Sequence, residues 1–287
     1  FLHQSWRPER SVVLGFLEEA EPWRLRSPQF PSKVGGKPAW LSQRGLPSLP
    51  ELECETCRLP MVFLLQVYAP VSGQDRTFHR TLFLFCCKTP ECYTHNDSRF
   101  FRSQLPRKNE FYPYDPPPGF MLPASGVKLC WVCGCPGNKA CSRCHTVTYC
   151  GKHHQTLHWK HTHKKECCSQ DTTSPFLFPE SELVTEPEEE EEEEEGKEED
   201  TKEAEREDGG ALSETDLEEM AMCETEDTKV FQKFKKKIAP EPHQVVRYSR
   251  GGSPLWVSSQ HIPSDQDIPP CTCGAKRVFE FQVVTAH

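Results

Sequence analysis

The chain has 287 residues, length enough for two domains of ordinary size, with 36% hydrophobic residues, 27% charged residues and 26 prolines. That composition excludes one dense core running through the whole length, and no apolar run approaches the ~18 residues that a membrane helix needs. Charge is unevenly placed: Glu180 to Asp227 holds 25 acidic and 3 basic residues, a net of −22, while the whole chain carries −9, so a basic body of +13 bears an acidic strap.

Taken in order, residues 1–11 read as a disordered N-terminus. Phe1 stands where a full chain has Met, as in a fragment, and no secretory leader precedes the first apolar run. Residues 12–111 carry short apolar runs at Val12–Phe16, Val62–Tyr68 and Thr81–Phe85, separated by Gly, Pro and Ser. With little 3.6-residue periodicity, they predict strands. Residues 112–128 form a stiff linker, with five prolines between Pro113 and Pro123. Residues 129–168 are a compact Cys/His block. Residues 169–227 are the acidic strap, with eight consecutive Glu at Glu188–Glu195. Like-charge repulsion predicts disorder there, apart from a weak helix over Glu214–Met222. The segment 228–287 opens with a firmer helix, capped by Asp227 or Thr228, that puts Phe231, Phe234 and Ile238 on one face. From Val245 the β style of the first module returns.

That return is an internal repeat. A gapless shift of 216 residues lays Gly35-Gly36-x-Pro38-x-Trp40-x-Ser42 on Gly251-Gly252-x-Pro254-x-Trp256-x-Ser258. Pro47-Ser48 falls on Pro263-Ser264, Thr56-Cys57 on Thr272-Cys273, and Val62-Phe63-x-x-Gln66-Val67 on Val278-Phe279-x-x-Gln282-Val283. The expectation is one β module used twice, with Gly-Gly as a turn and Pro-x-Trp seating a large ring in a small core. The second copy is incomplete: the partners of Cys271 and Cys273 would lie beyond His287.

Sixteen cysteines interleaved with histidine mean zinc in a reducing compartment, and the Glu tract and Lys cluster suit the cytosol or nucleus. The strongest pattern is Cys130-x2-Cys133-x7-Cys141-x2-Cys144-x5-Cys150-x3-His154-x8-His163-x3-Cys167, eight ligands for two closed, four-coordinate structural zinc ions. Disulfide pairing would waste the Cys-x2-Cys rhythm, and no ligand position is left open for a catalytic zinc. A second group is Cys54, Cys57, Cys87 and Cys92, brought together by a hairpin of the two strands between the pairs. Cys86 is the rival of Cys87. Neighbours on a strand face opposite sides, so only one can reach the ion, and Cys87 is preferred at the strand's end.

The Cys130–Cys167 spacing resembles the MYND-type zinc finger. That resemblance implies a cross-brace, with Cys130, Cys133, Cys150 and His154 on one zinc and Cys141, Cys144, His163 and Cys167 on the other. Cys135 and Cys168 are extra thiols. His153, His158 and His161 read as bystanders on a short helix from His154 to Lys165, with His153 the substitute for His154 and Trp159 packing the helix on the finger. MYND fingers bind proteins, commonly at Pro-containing motifs. The wider chain is similar to the programmed cell death protein 2 family. The carrying segments are Trp23-Arg24-Leu25, Phe30–Gly36, Phe63–Pro70, Phe78-His79-Arg80, Gln104–Asn109, Phe231–Phe234 and Cys271–Arg277. The resemblance implies a C-terminally shortened form ending in Thr285-Ala286-His287. The implied fold class is mainly β: small zinc-stabilised modules, with a duplicated β module, its second copy truncated, flanking the finger and a disordered acidic linker.

The resemblance implies no enzyme. It implies a chaperone that escorts a newly made small-subunit ribosomal protein from cytoplasm to nucleus in ribosome assembly, a link to apoptosis and proliferation, and corepressor-type partners for the finger. The residues support an escort independently. A basic client grips RNA through phosphate attraction, which a −22 strap would screen, while β edges offer pairing to a client segment. The alternative is a nuclear adaptor in transcriptional regulation, its finger docking Pro-rich motifs. An enzyme is the weakest class, with no methyltransferase cofactor motif and no nucleophile–base pairing. Nucleic-acid binding through Arg107-Lys108 and Lys235-Lys236-Lys237 is not favoured, because these clusters are small. A membrane is not expected.

Overall fold

Runs of β-branched and aromatic residues with turn residues between them favour strands over helices, and strands dominate the computed structural model. It describes residues 11–95, 98–114, 128–168, 174–189, 226–260 and 262–284. The expectations for the extreme N-terminus, most of the Pro-rich linker, the centre of the acidic strap with its weak helix at Glu214–Met222, and the ending Thr285-Ala286-His287 lie outside the described residues. The strands are β1 (Val13–Glu18), β2 (Lys33–Val34), β3 (Val62–Tyr68), β4 (His79–Cys86), β5 (Ser98–Leu105), β6 (Lys139–Ala140), β7 (Thr148–Tyr149), β8 (Ser181–Pro187), β9 (Val246–Tyr248) and β10 (Phe281–Val283). The helices are α1 (Lys152–His158), α2 (Lys164–Glu166) and α3 (Glu226–Ile238). Among the described residues no helix is long and apolar enough to cross a membrane.

Two compact units form. Of the described residues, those between 16 and 184 fall in the first, and those of 11–15 and 185–284 in the second. In the first, strands run in the order β8-β2-β3-β4-β5. β3 and β4 are antiparallel from Val62↔Cys86 to Tyr68↔Thr81 with a bulge between Phe63 and Leu65, and β4 and β5 from His79↔Leu105 to Cys86↔Ser98. β4 lies between two neighbours and is buried on both faces along nearly its whole length. One face stacks Phe83 and Phe85 on Trp40, with ring centroids 4.4 and 5.8 Å apart.

Two boundaries differ from the composition-based division. The described part of the acidic strap from Ser174 to Glu189 is ordered structure, not linker. Phe176, Leu177 and Phe178 pack on the core, and β8 pairs with β2 at Lys33↔Glu182 and Val34↔Ser181. The acidic side chains at its start have fixed partners: Glu180 pairs with the buried Lys33, and Glu182 with Arg24 at 2.9 Å. Burial lowers the pKa of Lys33, and the Glu180 carboxylate opposes that shift. Gly35 and Gly36, expected as a turn, have φ of 70° and 63° and lie against this segment. A Cβ would stand 1.8 Å from Pro179 O at the first and 2.3 Å from Glu180 Oε1 at the second. Only glycine fits both the backbone and the space.

The second difference concerns the finger, expected as a separate domain. It shares one core with the β strands: Val132, Cys133, Cys135, Cys141 and Tyr149 are buried in the same cluster as Trp40, Leu52, Met61, Phe63 and Phe85. The Phe63 N–H donates to Cys133 O at 3.5 Å, and the Cys135 thiol donates to Met61 O at 3.5 Å. Gly134, at φ 73°, lies so close to the Lys37-Pro38 turn that a Cβ would meet Pro38 Cδ at 2.9 Å.

In the second unit the order is β10-β9-β1. Val13, Leu14 and Gly15 pair with Tyr248, Arg247 and Val246, whose other edges meet Phe281, Gln282 and Val283. Arg247, in a buried position, is held by Gln244 at 2.8 Å and Glu188 at 2.7 Å. Helix α3 begins at Glu226, and Asp227 does not cap it: its carboxylate accepts hydrogen bonds from Ser258 Oγ at 2.6 Å and from the Ser259 N–H at 2.7 Å.

The 216-residue register recurs in specific bonds. The Ala39 N–H donates to Gln66 Oε1 at 2.8 Å, and the Leu255 N–H to Gln282 Oε1 at 2.6 Å. Ser48 N–H and Oγ both donate to Glu51, as Ser264 N–H and Oγ do to Asp267. The register does not recur in tryptophan burial: Trp40 is 2% exposed and Trp256 37%.

Candidate metal centres

The finger's ligands come from knuckles, a short hairpin and one broken helix. Cys130 and Cys133 flank a tight turn ahead of β6, Cys141 and Cys144 a second one ahead of β7, and Cys150 follows β7. His154 lies on α1. The single helix expected from His154 to Lys165 is α1, then a wide π turn over Trp159–His163, then α2. His163 stands nine positions after His154 with the wide π turn between them, and the two histidines belong to different groups. His163 and Cys167 are four apart and share a face.

Cys130, Cys133, Cys150 and His154 form one group, and Cys141, Cys144, His163 and Cys167 another, with all ligand atoms of a group within 4.8 Å of one another. In the first, His154 Nδ1 is 3.5 Å from Cys130 Sγ and 3.3 Å from Cys150 Sγ, and the Cys133 and Cys150 sulfurs are 3.7 Å apart. In the second, Cys144 Sγ is 3.5 Å from His163 Nε2. A tetrahedral zinc with bonds of about 2.0–2.3 Å needs ligand atoms roughly 3.3–3.8 Å apart, so both donor sets fit the ion. Hydrogen bonds from Cys133 and Cys150 hold Cys130 far below the ordinary thiol range, while burial pushes Cys133 up. Burial raises Cys144, but hydrogen bonds from the Val147 and Thr146 backbone together with those of Cys141 and His163 outweigh it and bring that thiol to about 6.

The structure brings together the third predicted group as well. Cys54, Cys57, Cys87 and Cys92 lie within the same 4.8 Å limit, and Cys86 is outside the group. Burial pushes the Cys86 thiol up to about 11. None of the described cysteines is in a disulfide, and Cys271 and Cys273 join no cluster among the described residues.

His153 and His161 are exposed on the helix. His158, expected as a third bystander, is a buried wedge. Its Nδ1 meets the Tyr149 hydroxyl at 2.9 Å, and its ring stacks between Trp131 at 5.5 Å and His163 at 4.7 Å. Burial pushes its pKa down to about 4. It orients a ligand through its ring face, a role that only the fold reveals. Cys135 is buried beneath Met61 O and belongs to neither group of ligands.

Three family profiles match: "Programmed cell death protein 2, N-terminal domain" over residues 11–119, "MYND finger" over 130–167, and "Programmed cell death protein 2, C-terminal putative domain" over 228–287. The chain is similar to Programmed cell death protein 2 of Bos taurus, 51% identical over 287 residues, covering 94% of this chain and 83% of that protein. It is 50% identical over 288 residues to the Mus musculus protein of the same name, covering 95% and 83%. To Programmed cell death protein 2-like of Mus musculus it is 25% identical over 334 residues, covering 96% and 84%. No solved structure matches the chain.

Proposed function

Because the chain belongs to the programmed cell death protein 2 family, we propose that it is a non-enzymatic, zinc-stabilised escort for a basic, RNA-binding ribosomal protein during small-subunit assembly. A MYND finger is a protein–protein interaction module, which supports protein partners in general. The finger's two donor sets would each hold one structural zinc, supplying folding free energy and no chemistry. The observation that carries the escort reading is the charge separation: −22 between Glu180 and Asp227 against +13 elsewhere. A basic client exposes Lys and Arg that attract RNA without regard to sequence, and a tethered run of Glu competes with phosphate for those groups. An escort of this kind works in the cytoplasm and the nucleus.

The alternative is a nuclear adaptor working through the finger and a Pro-rich or corepressor partner. The shared core argues against a finger that swings freely as an independent docking module. Deleting it would unfold the first unit, so surface changes must separate the two readings. The experiment is a pull-down from native cells with identification of the main co-purifying band. A ribosomal protein in stoichiometric amount, retained by Arg143→Glu on the exposed finger surface and lost when Glu189–Glu195 is replaced by Ser with Glu188 kept as the partner of Arg247, supports the escort. Partners lost with Arg143→Glu and indifferent to the Glu run overturn it in favour of the adaptor.

A further inference from the structure

The finger's own knuckles give the standard by which to judge the Cys54 group. At the first finger knuckle the Cys130 N–H donates to Cys135 O at 2.7 Å and the Gly134 N–H to Cys130 O at 2.9 Å. Gly134 turns left-handed at φ 73°, and Leu129 bridges Pro136. The Cys54 knuckle repeats each feature at the same spacing. The Cys54 N–H donates to Leu59 O at 2.9 Å and the Arg58 N–H to Cys54 O at 3.0 Å. Arg58 is left-handed at φ 62°, and Glu53 bridges Pro60. A left-handed arginine is strained relative to its ordinary conformation, because its Cβ crowds the following carbonyl oxygen. Such strain persists where the surroundings demand it, and here it turns the Cys54-x2-Cys57 pair toward a single point.

The sulfurs themselves fit a mononuclear ion. Cys57 Sγ and Cys87 Sγ are 3.5 Å apart, and all four sulfurs lie within 4.8 Å of one another. A disulfide would bring one pair to about 2.05 Å, whereas four bonds of about 2.3 Å to one tetrahedral zinc place sulfurs about 3.8 Å apart. Donors point at the sulfurs as they do around metal thiolates. The Cys57 N–H donates to Cys54 Sγ at 3.4 Å and the Thr89 N–H to Cys87 Sγ at 3.4 Å, and Thr89 Oγ1 lies 3.6 Å from Cys57 Sγ. Cys54, Cys87 and Cys92 are buried. The site also has a structural task. β3 and β4 are joined at one end by residues 69–78. Cys54 and Cys57 precede β3 while Cys87 and Cys92 follow β4, so one ion ties the hairpin's open end.

We infer that Cys54, Cys57, Cys87 and Cys92 hold a third zinc ion in an all-thiolate site within the first β unit, with Thr89 as a positioning residue for two of the sulfurs. The inference is independent of the escort reading and of any partner. Elemental analysis of the full, folded chain tests it, with three zinc ions per chain expected. Cys86→Ser keeps three, and Cys92→Ser keeps two. Thr89→Val keeps three but releases one of them to a chelator about 10-fold faster or more, the usual scale for removing a hydrogen bond to a metal ligand. Should Cys92→Ser fail to fold, cobalt titration of the unaltered chain replaces it: a third equivalent with sulfur-to-cobalt absorption typical of four thiolates is expected. Two zinc ions in the folded unaltered chain, two cobalt equivalents, iron in place of zinc, loss of an ion from Cys86→Ser, or unchanged release from Thr89→Val would each overturn the assignment.

Discussion

Replacing Trp40 tests the packing of the first unit most directly. The ring is 2% exposed and lies against Phe83 and Phe85 in the cluster that also holds Cys54, Cys87, Cys130 and Cys133. An aromatic ring buries about 150–250 Å², and at about 25 cal/mol per Å² its removal forfeits roughly 4–6 kcal/mol. Measured truncations of buried Trp and Phe run at about 3–5 kcal/mol, so Trp40→Ala is expected in that range. One detail moderates the figure. The indole Nε1 is buried without a hydrogen-bond partner among the described residues, a deficit of about 1–3 kcal/mol in the native state. Trp40→Phe removes that deficit while keeping a ring, and is expected to cost less than about 2 kcal/mol. Trp256→Ala, at the equivalent place in the 216-residue register but 37% exposed, is expected to cost less than about 1.5 kcal/mol. The assay is denaturant unfolding in excess zinc, with hydrogen exchange of the β4 amides reading the first unit separately from the second. Equal losses for Trp40→Ala and Trp256→Ala, or a Trp40→Phe variant as unstable as Trp40→Ala, would refute the packing argument.

The remaining predictions concern the junctions. Gly134→Ala combines a left-handed backbone with a contact on Pro38, so it should destabilise the first unit by about 1–3 kcal/mol in the same unfolding assay. Gly45→Ala, left-handed but with open space around it, should cost only about 1 kcal/mol. Cys135→Ala should leave the zinc content of the chain unchanged in elemental analysis, whereas Cys150→Ala should lose an ion and unfold the finger together with the strands that share its core. Glu180→Gln strands the Lys33 ammonium, and because Glu180 is partly exposed the cost is about 1–3 kcal/mol, with Lys33→Met in the same chain recovering most of it in a double-variant cycle. Hydrogen exchange at Phe281–Val283 should be faster than at Val62–Tyr68. β10 pairs along one edge and keeps Val283 exposed, while β3 is paired on both sides and buried.

Local information determined much of this molecule. The eight finger ligands fall within 38 residues, and knuckle, hairpin and helix are all short-range, so spacing was enough to pick the ligands out, while their division into two groups came from the resemblance to the MYND finger. The runs that became β3 and β4, the presence of α3 and the Cys54–Cys92 quartet were legible for the same reason: each depends on periodicity or on a pair spacing within one or two elements. Tertiary structure decided what depends on a distant partner. Composition marks Ser181–Pro187 as part of an acidic linker. A buried lysine and an unpaired β2 edge turn it into a strand, because a carboxylate facing a cation and a backbone facing open hydrogen-bonding groups lose less than they gain by ordering. Likewise Val13–Gly15 find β9 more than 230 residues later, and His158 becomes a wedge only because Tyr149 and Trp131 arrive beside it. The division between finger and β unit also vanished on folding. Neither can bury Val132, Cys135, Met61 and Phe63 alone, and apolar surface is removed from water wherever a complementary surface is found, regardless of how far apart the two lie in the chain.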